Sequence, residues 1–238
     1  MPARKGFLTS LLELVRLPNV FTAPSDVAMG MAVSGVALTS SHTALLLASA
    51  CAYAGGMALN DACDAPLDRH ERPERPIPSG RISRTAAFAV AAVLLALSIG
   101  LAATAGPRPF VASLLLVGAI VLYDAVAKGT AAGPPVMASC RALNVGVGIA
   151  LGALAWSAVG AAAIVFVALL VLWIWPPLRA ALAQPAPRQI IGVIKATVLG
   201  IILLDAAFTG AARGLMAGTL VAALFIPAYV LGRRFASA

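Results

Sequence analysis

Four polar side chains at the end of an apolar run have the types and the spacing that suit metal chemistry. They are Asn60, Asp61, Asp64 and Asp68. If a helix continues through them, Asp61, Asp64 and Asp68 share one face, and so do Asn60, Asp64 and Asp68. Carboxylates on one face repel one another unless a cation intervenes, and hard oxygen ligands suit Mg²⁺, which commonly bridges to substrate phosphates. The spacing therefore indicates a metal site, and Pro66 is expected to bend this helix without destroying the face.

An arginine- and proline-rich segment follows the acidic face, with the sequence RHERPERPIPSGR at residues 69–81. The planar guanidinium group of arginine matches phosphate oxygens. The three prolines of the segment prevent a helix and stiffen the chain. A carboxylate face followed by a rigid arginine loop is what a metal–diphosphate site requires. The alternative from charge alone is a solvated loop whose arginines and glutamates pair with one another.

Two polar residues stand one turn apart inside a later apolar run, Arg141 and Asn144. A charged side chain within a membrane span usually faces the interior of the helix bundle. We therefore expect Arg141 and Asn144 to line a polar cavity, with Asp124 as the candidate partner of Arg141. Asp205, deep in another apolar run, is predicted to be a helix-packing polar residue rather than a catalytic base.

Composition identifies the elements that must position these groups. The chain has 238 residues, of which 61% are hydrophobic and 11% charged, and its mean hydropathy is +0.96. Soluble domains carry about 25% charged residues, so a soluble enzyme, a nucleic-acid binder and a disordered protein are excluded. A membrane helix needs about 20 apolar residues. Eight candidate spans meet this need, at residues 20–39, 43–60, 85–105, 109–127, 135–156, 159–178, 190–208 and 214–232.

The distribution of lysine and arginine predicts the orientation in the membrane. Of the basic residues outside the spans, only Arg108 and Arg213 fall on one side, and all the others fall on the opposite side. The positive-inside rule then places both termini and the Asp-rich loop in the cytoplasm. We expect an integral protein of a bacterial inner (cell) membrane. The net charge of +8 reflects this bias and does not indicate a nucleic-acid partner.

The chain is predicted to have two parts. Apolar residues at helical spacing between Arg4 and Arg16 predict an interfacial amphipathic helix, so residues 1–18 form an N-terminal interfacial segment. Residues 19–238 form a single transmembrane domain. The three cysteines show no ligand spacing and are read as packing residues rather than as a disulfide or zinc site.

The acidic face and the loop after it resemble the first signature of the UbiA-type membrane prenyltransferases. That signature is NDxxDxxxD followed by a stretch like R-x-x-R-P-[IL]-P-S-G, and this chain has it from Asn60 to Asp68 and from Arg72 to Gly80. The resemblance implies an all-α, polytopic bundle of about eight membrane helices around a central, lipid-accessible cavity. It implies transfer of a prenyl group from a prenyl diphosphate to an aromatic or other apolar acceptor within the bilayer. The loop and the length are also similar to a short UbiA-like branch encoded in bacterial ebo clusters.

The resemblance also assigns roles to individual residues. Asn60, Asp64 and Asp68 would hold Mg²⁺ and the diphosphate. The catalytic set would be Asp64, Asp68, Arg72 and Lys128, since the family often has a tyrosine and a lysine after the fourth span. The residues predicted to contact substrate are Asn60, Asp61, Arg75, Tyr123, Arg141, Asn144, Arg188 and Lys195.

One departure from the family pattern leaves an alternative function open. The family carries a second aspartate-rich motif after the sixth span, whereas residues 179–189 of this chain contain no acid. Arg179, Arg188 and Lys195 are candidates to contact phosphate in its place. The alternative is a non-catalytic membrane carrier or binder of isoprenoid-type or other apolar molecules. A CDP-alcohol phosphotransferase is disfavoured because its DG, AR and GxxxDxxxD pattern is not matched.

Overall fold

Helices make up all the regular structure in the part of the chain that the computed structural model describes, residues 6–152, 175–180, 182–183 and 187–234. This confirms the predicted all-α class. A short 3₁₀ helix covers Ser40–His42 and a π-helical turn covers Tyr123–Ala127. The α-helices named below are α1 (Phe7–Leu14), α2 (Leu17–Val20), α3 (Thr22–Val33), α4 (Thr43–Glu71), α5 (Arg84–Ala103), α6 (Pro107–Leu122), α7 (Gly133–Ile149), α8 (Pro187–Arg213), α9 (Leu215–Ala222) and α10 (Phe225–Arg234).

Five stretches of helix within the described residues are long and apolar enough to cross a membrane. They match the spans predicted at 43–60, 85–105, 109–127, 190–208 and 214–232, and they are Thr43–Glu71, Arg84–Ala103, Pro107–Ala127, Lys195–Arg213 and Leu215–Arg233.

The predicted total of eight spans is not confirmed. Where spans were predicted at 20–39 and 135–156, α3 has 12 residues and α7 has 17, fewer than the roughly 20 that a span needs. α3 ends at Val33 because a turn follows in which Gly35 has a φ of 90°, a conformation that favours glycine. The predicted span at 159–178 lies largely outside the described residues.

α4 continues as one helix through Pro66 and carries the acidic segment with it. Proline has no N–H, so the carbonyl of Ala62, four residues earlier, loses its helical hydrogen-bond donor. Arg84 supplies a substitute, because its Nε donates a hydrogen bond of 2.8 Å to that carbonyl. The helix runs to Glu71, so the condition on which the shared acidic face depends is met.

α3 and α7 pack at close range through glycines. A Cβ atom on Gly148 would collide with the backbone of Val27, and a Cβ atom on Gly30 would collide with the backbone of Val145. Small residues at such positions let helix backbones approach closely in membranes. The close approach brings the polar side chains of α7 against those of α3.

α1 is tied to the loop between α4 and α5. Arg81 donates to Oε2 of Glu13 at 2.6 Å and to Oγ of Ser10 at 3.1 Å. Phe7 and Leu8 are 71% and 67% exposed, on a helix whose Ser10 and Glu13 are buried. An amphipathic helix with exposed apolar residues suits the membrane interface, and its interfacial position stays a prediction.

Candidate active site

The polar side chains at the end of α4 divide into two sets, which contact different segments of the chain. Asp61 and Asp68, which are 5% and 2% exposed, contact arginines of the N-terminal region and of the loop after α4. Asn60 contacts the π-helical turn that follows α6, and Asp64 contacts Lys128, the residue directly after that turn. The single face predicted from the spacing therefore carries two adjacent rows of polar contacts.

Arginines neutralise the first row. Nη1 of Arg75 lies 2.8 Å from Oδ2 of Asp68 and 3.3 Å from Oδ1 of Asp61. Nη2 of Arg16 lies 3.3 Å from the same Asp61 oxygen. Arg72 is more peripheral, since its side chain is 54% exposed and its Nη1 lies 4.0 Å from Oδ1 of Asp68. Of the two arginines predicted in this loop, Arg75 is thus the one packed against the carboxylates.

The π-helical turn supplies the partners of the second row. Lys128 forms an ion pair with Asp64, and Asp124 accepts a hydrogen bond of 2.8 Å from Nδ2 of Asn60. The backbone N–H of Lys128 bonds to the carbonyl of Tyr123 at 2.9 Å, across five residues. Such π turns are rare and occur frequently at functional sites. The structure thus places Lys128 beside Asp64, and its predicted contact with the diphosphate stays a prediction.

A second polar cluster lies deeper in the bundle, where α3 meets α7. Nη2 of Arg141 lies 3.0 Å from Oδ1 of Asp26, and Nδ2 of Asn144 donates to Oδ2 of Asp26 at 2.9 Å. Ser49 of α4 donates to Oδ1 of Asn144 at 2.7 Å. Ser49 precedes Asp61 by twelve residues, so the two positions are about 18 Å apart along α4 at 1.5 Å per residue.

The predicted pairing of Arg141 with Asp124 is wrong. Arg141 lies on the side of α7 that packs against α3, and it pairs there with Asp26. Asp124 instead faces α4 and bonds to Asn60. Asp205 is 2% exposed and accepts a hydrogen bond of 2.6 Å from Oγ of Ser25. That contact joins α8 to α3, as expected of a helix-packing polar residue.

Comparison with known proteins identifies the family. The model of the UbiA prenyltransferase family matches residues 21–184, a range that includes the acidic face, the arginine loop and the π turn. The chain belongs to the UbiA prenyltransferase family.

Two relatives of this UbiA chain are digeranylgeranylglyceryl phosphate synthases. The protein from Methanothrix thermoacetophila is 38% identical over 122 residues, which are 50% of this chain and 46% of the relative. The protein from Ignicoccus hospitalis is 41% identical over 102 residues, which are 43% of this chain and 33% of the relative. The match with this chain thus spans less than half the length of each relative.

Two solved structures show the same fold as this UbiA chain. A structure of digeranylgeranylglyceryl phosphate synthase superposes with a TM-score of 0.58 and 18% identity, over 96% of this chain and 97% of the other. A UbiA homologue from Archaeoglobus fulgidus bound to GPP and Mg²⁺ gives a TM-score of 0.52 and 17% identity, over 95% and 96% of the two chains. At this level of identity the likeness concerns the fold.

One of the predicted phosphate contacts, Lys195, does not join the acidic residues of α4. Lys195 is exposed on α8, and in the part of the chain that the structure describes it makes no ion pair with the acidic residues of α4. Arg188 begins the same helix, but its side chain lies outside the described residues, as does most of the connection that lacks the second aspartate motif. Among the described residues, the cations that contact these acidic side chains are Arg16, Arg72, Arg75 and Lys128.

The donor chemistry at the end of α4 fits Mg²⁺. Among the described residues, no three His, Cys, Asp or Glu side chains converge as a ready-made metal cage. Asn60, Asp64 and Asp68 nevertheless offer hard oxygen donors at successive turns of one helix, the ligand type that Mg²⁺ prefers. Asp64 and Asp68 already hold the cations Lys128 and Arg75. A site that keeps water ligands and shares its metal with substrate phosphates needs only one or two carboxylates.

Three residues of this region were missed from the sequence. Arg16 and Arg84 were counted only among the basic residues that set the orientation, and Asp124 was given the wrong partner. The spacing of Asp124 and Lys128 could have predicted that both side chains face the same neighbouring helix, because residues four apart lie on the same side of a helix. No local pattern identifies Arg16 or Arg84, since their partners are distant in sequence.

Proposed function

We propose that this protein catalyses the Mg²⁺-dependent transfer of a prenyl group from a prenyl diphosphate to an acceptor within the membrane. The observation that carries the proposal is the group of Asp64, Asp68, Lys128 and Arg75 at one end of a spanning helix. Membership of the UbiA family supports the reaction class. The binding of GPP and Mg²⁺ by the homologue from A. fulgidus supports the donor class and the metal.

The residues at the end of α4 bind and activate the leaving group in this proposal. Asn60, Asp64 and Asp68 would hold Mg²⁺, which supplies positive charge to the diphosphate when it is bound. Lys128 and Arg75 would donate to phosphate oxygens from their positions beside the carboxylates, and the exposed Arg72 would reach the diphosphate from the same loop. Preorganised positive charge aimed at a developing anion is the largest catalytic effect in many enzymes.

The bond changes follow from this placement. The bond between the allylic carbon and the diphosphate oxygen breaks, and its electron pair leaves with the diphosphate. The acceptor then forms a bond to that carbon and gives up a proton to the diphosphate. The helices around the bound donor would have to exclude water, which otherwise captures the cationic carbon.

The deeper polar cluster is proposed to border the acceptor site. The side chain of Arg141 is 34% exposed although that of its partner Asp26 is 2% exposed, so part of the Arg141 side chain remains accessible. The relatives are named for a product that joins prenyl groups to glyceryl phosphate. A lipid with a glyceryl phosphate head is therefore the first acceptor to test, beside the aromatic and other apolar acceptors that the sequence suggested.

The competing proposal is a carrier or binder of isoprenoids without turnover. It is motivated by the absence of acids between residues 179 and 189 and by the cations that already neutralise Asp64 and Asp68. A binder would gain thermal stability from a prenyl diphosphate without consuming it, and this gain would survive Asp64→Asn. An enzyme that uses Asp64 would lose both turnover and metal-dependent stabilisation in that variant.

The experiment that tests the proposal measures transfer directly. Purified protein in lipid nanodiscs is mixed with geranyl or geranylgeranyl diphosphate, Mg²⁺, and either geranylgeranylglyceryl phosphate or an aromatic acceptor, and the lipids are analysed by mass spectrometry. We expect a prenylated acceptor that requires Mg²⁺ and is lost in Asp64→Asn. Glu74→Gln is the matched control, because it removes an exposed carboxylate of the same loop. Stabilisation without product over this panel would favour the binder.

A further inference from the structure

The π-helical turn after α6 places a carboxylate against a candidate metal ligand on another helix. Oδ1 of Asp124 accepts a hydrogen bond of 2.8 Å from Nδ2 of Asn60. Neither the family pattern quoted above nor the composition assigns a role to Asp124. It lies outside the acidic segment of α4, and it is the only acidic residue between Glu74 and Asp205.

This hydrogen bond is one of two side-chain contacts between α4 and the residues that follow α6. Asn60 and Asp64 stand four residues apart on α4, and Lys128, directly after the π turn, stands four residues beyond Asp124 on that turn. Asn60 meets Asp124, and Asp64 meets Lys128. The widened turn, closed by the bond from the Lys128 N–H to the Tyr123 carbonyl, lets both side chains point at α4.

The hydrogen bond between Asn60 and Asp124 determines which way the side-chain amide of Asn60 faces. An asparagine side chain has one oxygen that accepts hydrogen bonds and one NH₂ group that donates them, whereas an ionised carboxylate only accepts. Asp124 therefore holds the NH₂ group of Asn60, and the amide oxygen is directed away from Asp124. Only that oxygen can bind Mg²⁺, because the NH₂ group carries no available lone pair.

We infer that Asp124 is a positioning residue of the candidate Mg²⁺ site, which fixes the Asn60 amide with its oxygen toward the metal. The inference rests on the proposed function. Hydrogen-bond partners of metal ligands commonly orient the ligand and are needed for full metal affinity. A carboxylate on the π-helical turn thereby supports the acidic segment of α4 in a chain that has no acid between residues 179 and 189.

The test measures metal binding and does not depend on turnover. Mn²⁺ is titrated into the protein in nanodiscs in the presence of inorganic pyrophosphate, and the bound fraction is read from the electron paramagnetic resonance signal. For Asp124→Ala we expect the apparent Mn²⁺ affinity to fall by about 10- to 100-fold, the usual effect of removing such a partner. The melting temperature without metal serves as the measure of folding.

Two further variants make the result specific. Ser113→Ala is the matched control, because it removes a buried hydrogen bond to Ser98 from α6, the helix that leads into the turn of Asp124, without touching the site. This variant should bind Mn²⁺ as the wild type does. Asn60→Asp combined with Asp124→Asn reverses donor and acceptor and leaves a carboxylate oxygen for the metal. It should recover most of the affinity that Asp124→Ala loses.

Asp124→Asn covers the case in which the alanine variant does not fold. Its amide can either donate to or accept from Asn60, so it no longer selects one orientation, and the affinity should again fall. Wild-type affinity in the folded Asp124 variants would overturn the inference and leave the proposed function standing. A wild-type protein that binds no Mn²⁺ with pyrophosphate would overturn the proposed function and the inference with it.

Discussion

Arg75 lies between two buried carboxylates, with Nη1 2.8 Å from Oδ2 of Asp68 and 3.3 Å from Oδ1 of Asp61. The side chain of Arg75 is 13% exposed, so this pairing occurs largely away from water. One guanidinium thus neutralises two acids of α4 and fixes the proline-rich loop against the helix. The loop is a structural part of the site as well as a source of positive charge.

Replacing Arg75 should destabilise the protein more than replacing Arg72. Arg75→Met leaves two buried carboxylates without their shared cation, and breaking a buried pair costs about 3–5 kcal/mol. Arg72→Met removes an exposed side chain 4.0 Å from Asp68, and such surface pairs contribute at most about 1 kcal/mol. Thermal denaturation in detergent measures both. Equal losses of stability in the two variants would show that Arg75 does not hold the loop.

Lys128 should be required for turnover. Lys128→Met removes the cation beside Asp64 and a proposed contact to the diphosphate, and loss of one such electrostatic contact typically lowers kcat by about 100- to 1,000-fold. Arg108→Met removes an exposed cation from the opposite end of α6 and should leave the rate unchanged. Steady-state release of diphosphate measures both variants. A rate within a few-fold of wild type for Lys128→Met would remove Lys128 from the mechanism.

Arg84 should contribute to the stability of α4 only while Pro66 is present. Arg84→Met removes the donor to the Ala62 carbonyl, and a hydrogen bond to a charged group contributes about 1.5–3 kcal/mol. Pro66→Ala supplies a backbone N–H that can bond to that carbonyl within the helix. The double variant should therefore be more stable than the sum of the two single changes implies, a coupling that a double-mutant cycle of melting temperatures measures. Strict additivity would show that Arg84 does not compensate for the proline.

Because α3 and α7 approach closely, a methyl group should be tolerated at Gly146 of α7 but not at Gly148. A Cβ atom on Gly148 meets the backbone of Val27, whereas a Cβ atom on Gly146 meets nothing within 4 Å. Overpacking costs about 1–3 kcal/mol, and Gly146→Ala should instead stabilise α7 by about 0.5–1 kcal/mol. Thermal denaturation of the two variants measures the difference. If Gly148→Ala were as stable as Gly146→Ala, the helices would not be in the contact described.

Local patterns in the sequence predict much of this site because its core lies on one helix. The four-residue spacing of Asn60, Asp64 and Asp68 required only that α4 continue, and it continues through Pro66. The prolines after Arg72 predicted a non-helical loop, which the structure shows. The apolar runs predicted five of the membrane helices for the same reason, since hydropathy along the chain is a local property.

The contacts between helices were the part that the sequence did not specify. Asp124 was predicted to pair with Arg141. It faces α4 instead because of the π turn, which no residue pattern predicted. Arg141 pairs with Asp26 because the glycines of α3 and α7 let those two helices pack closely. α3 stops at Val33 although apolar residues continue, because the chain turns at Gly35. Each of these outcomes depends on packing between segments that are far apart in sequence.

The measurement that tests the central claim most directly is the Mg²⁺ dependence of diphosphate release from a prenyl diphosphate. It compares the wild type with Asp64→Asn, Asp68→Asn and the control Glu74→Gln in nanodiscs that contain an acceptor. The account predicts release that rises with Mg²⁺ in the wild type and in Glu74→Gln, and that falls by at least about 100-fold in both aspartate variants. Release that ignores Mg²⁺, or that persists in Asp64→Asn and Asp68→Asn, would contradict a metal–diphosphate site on α4.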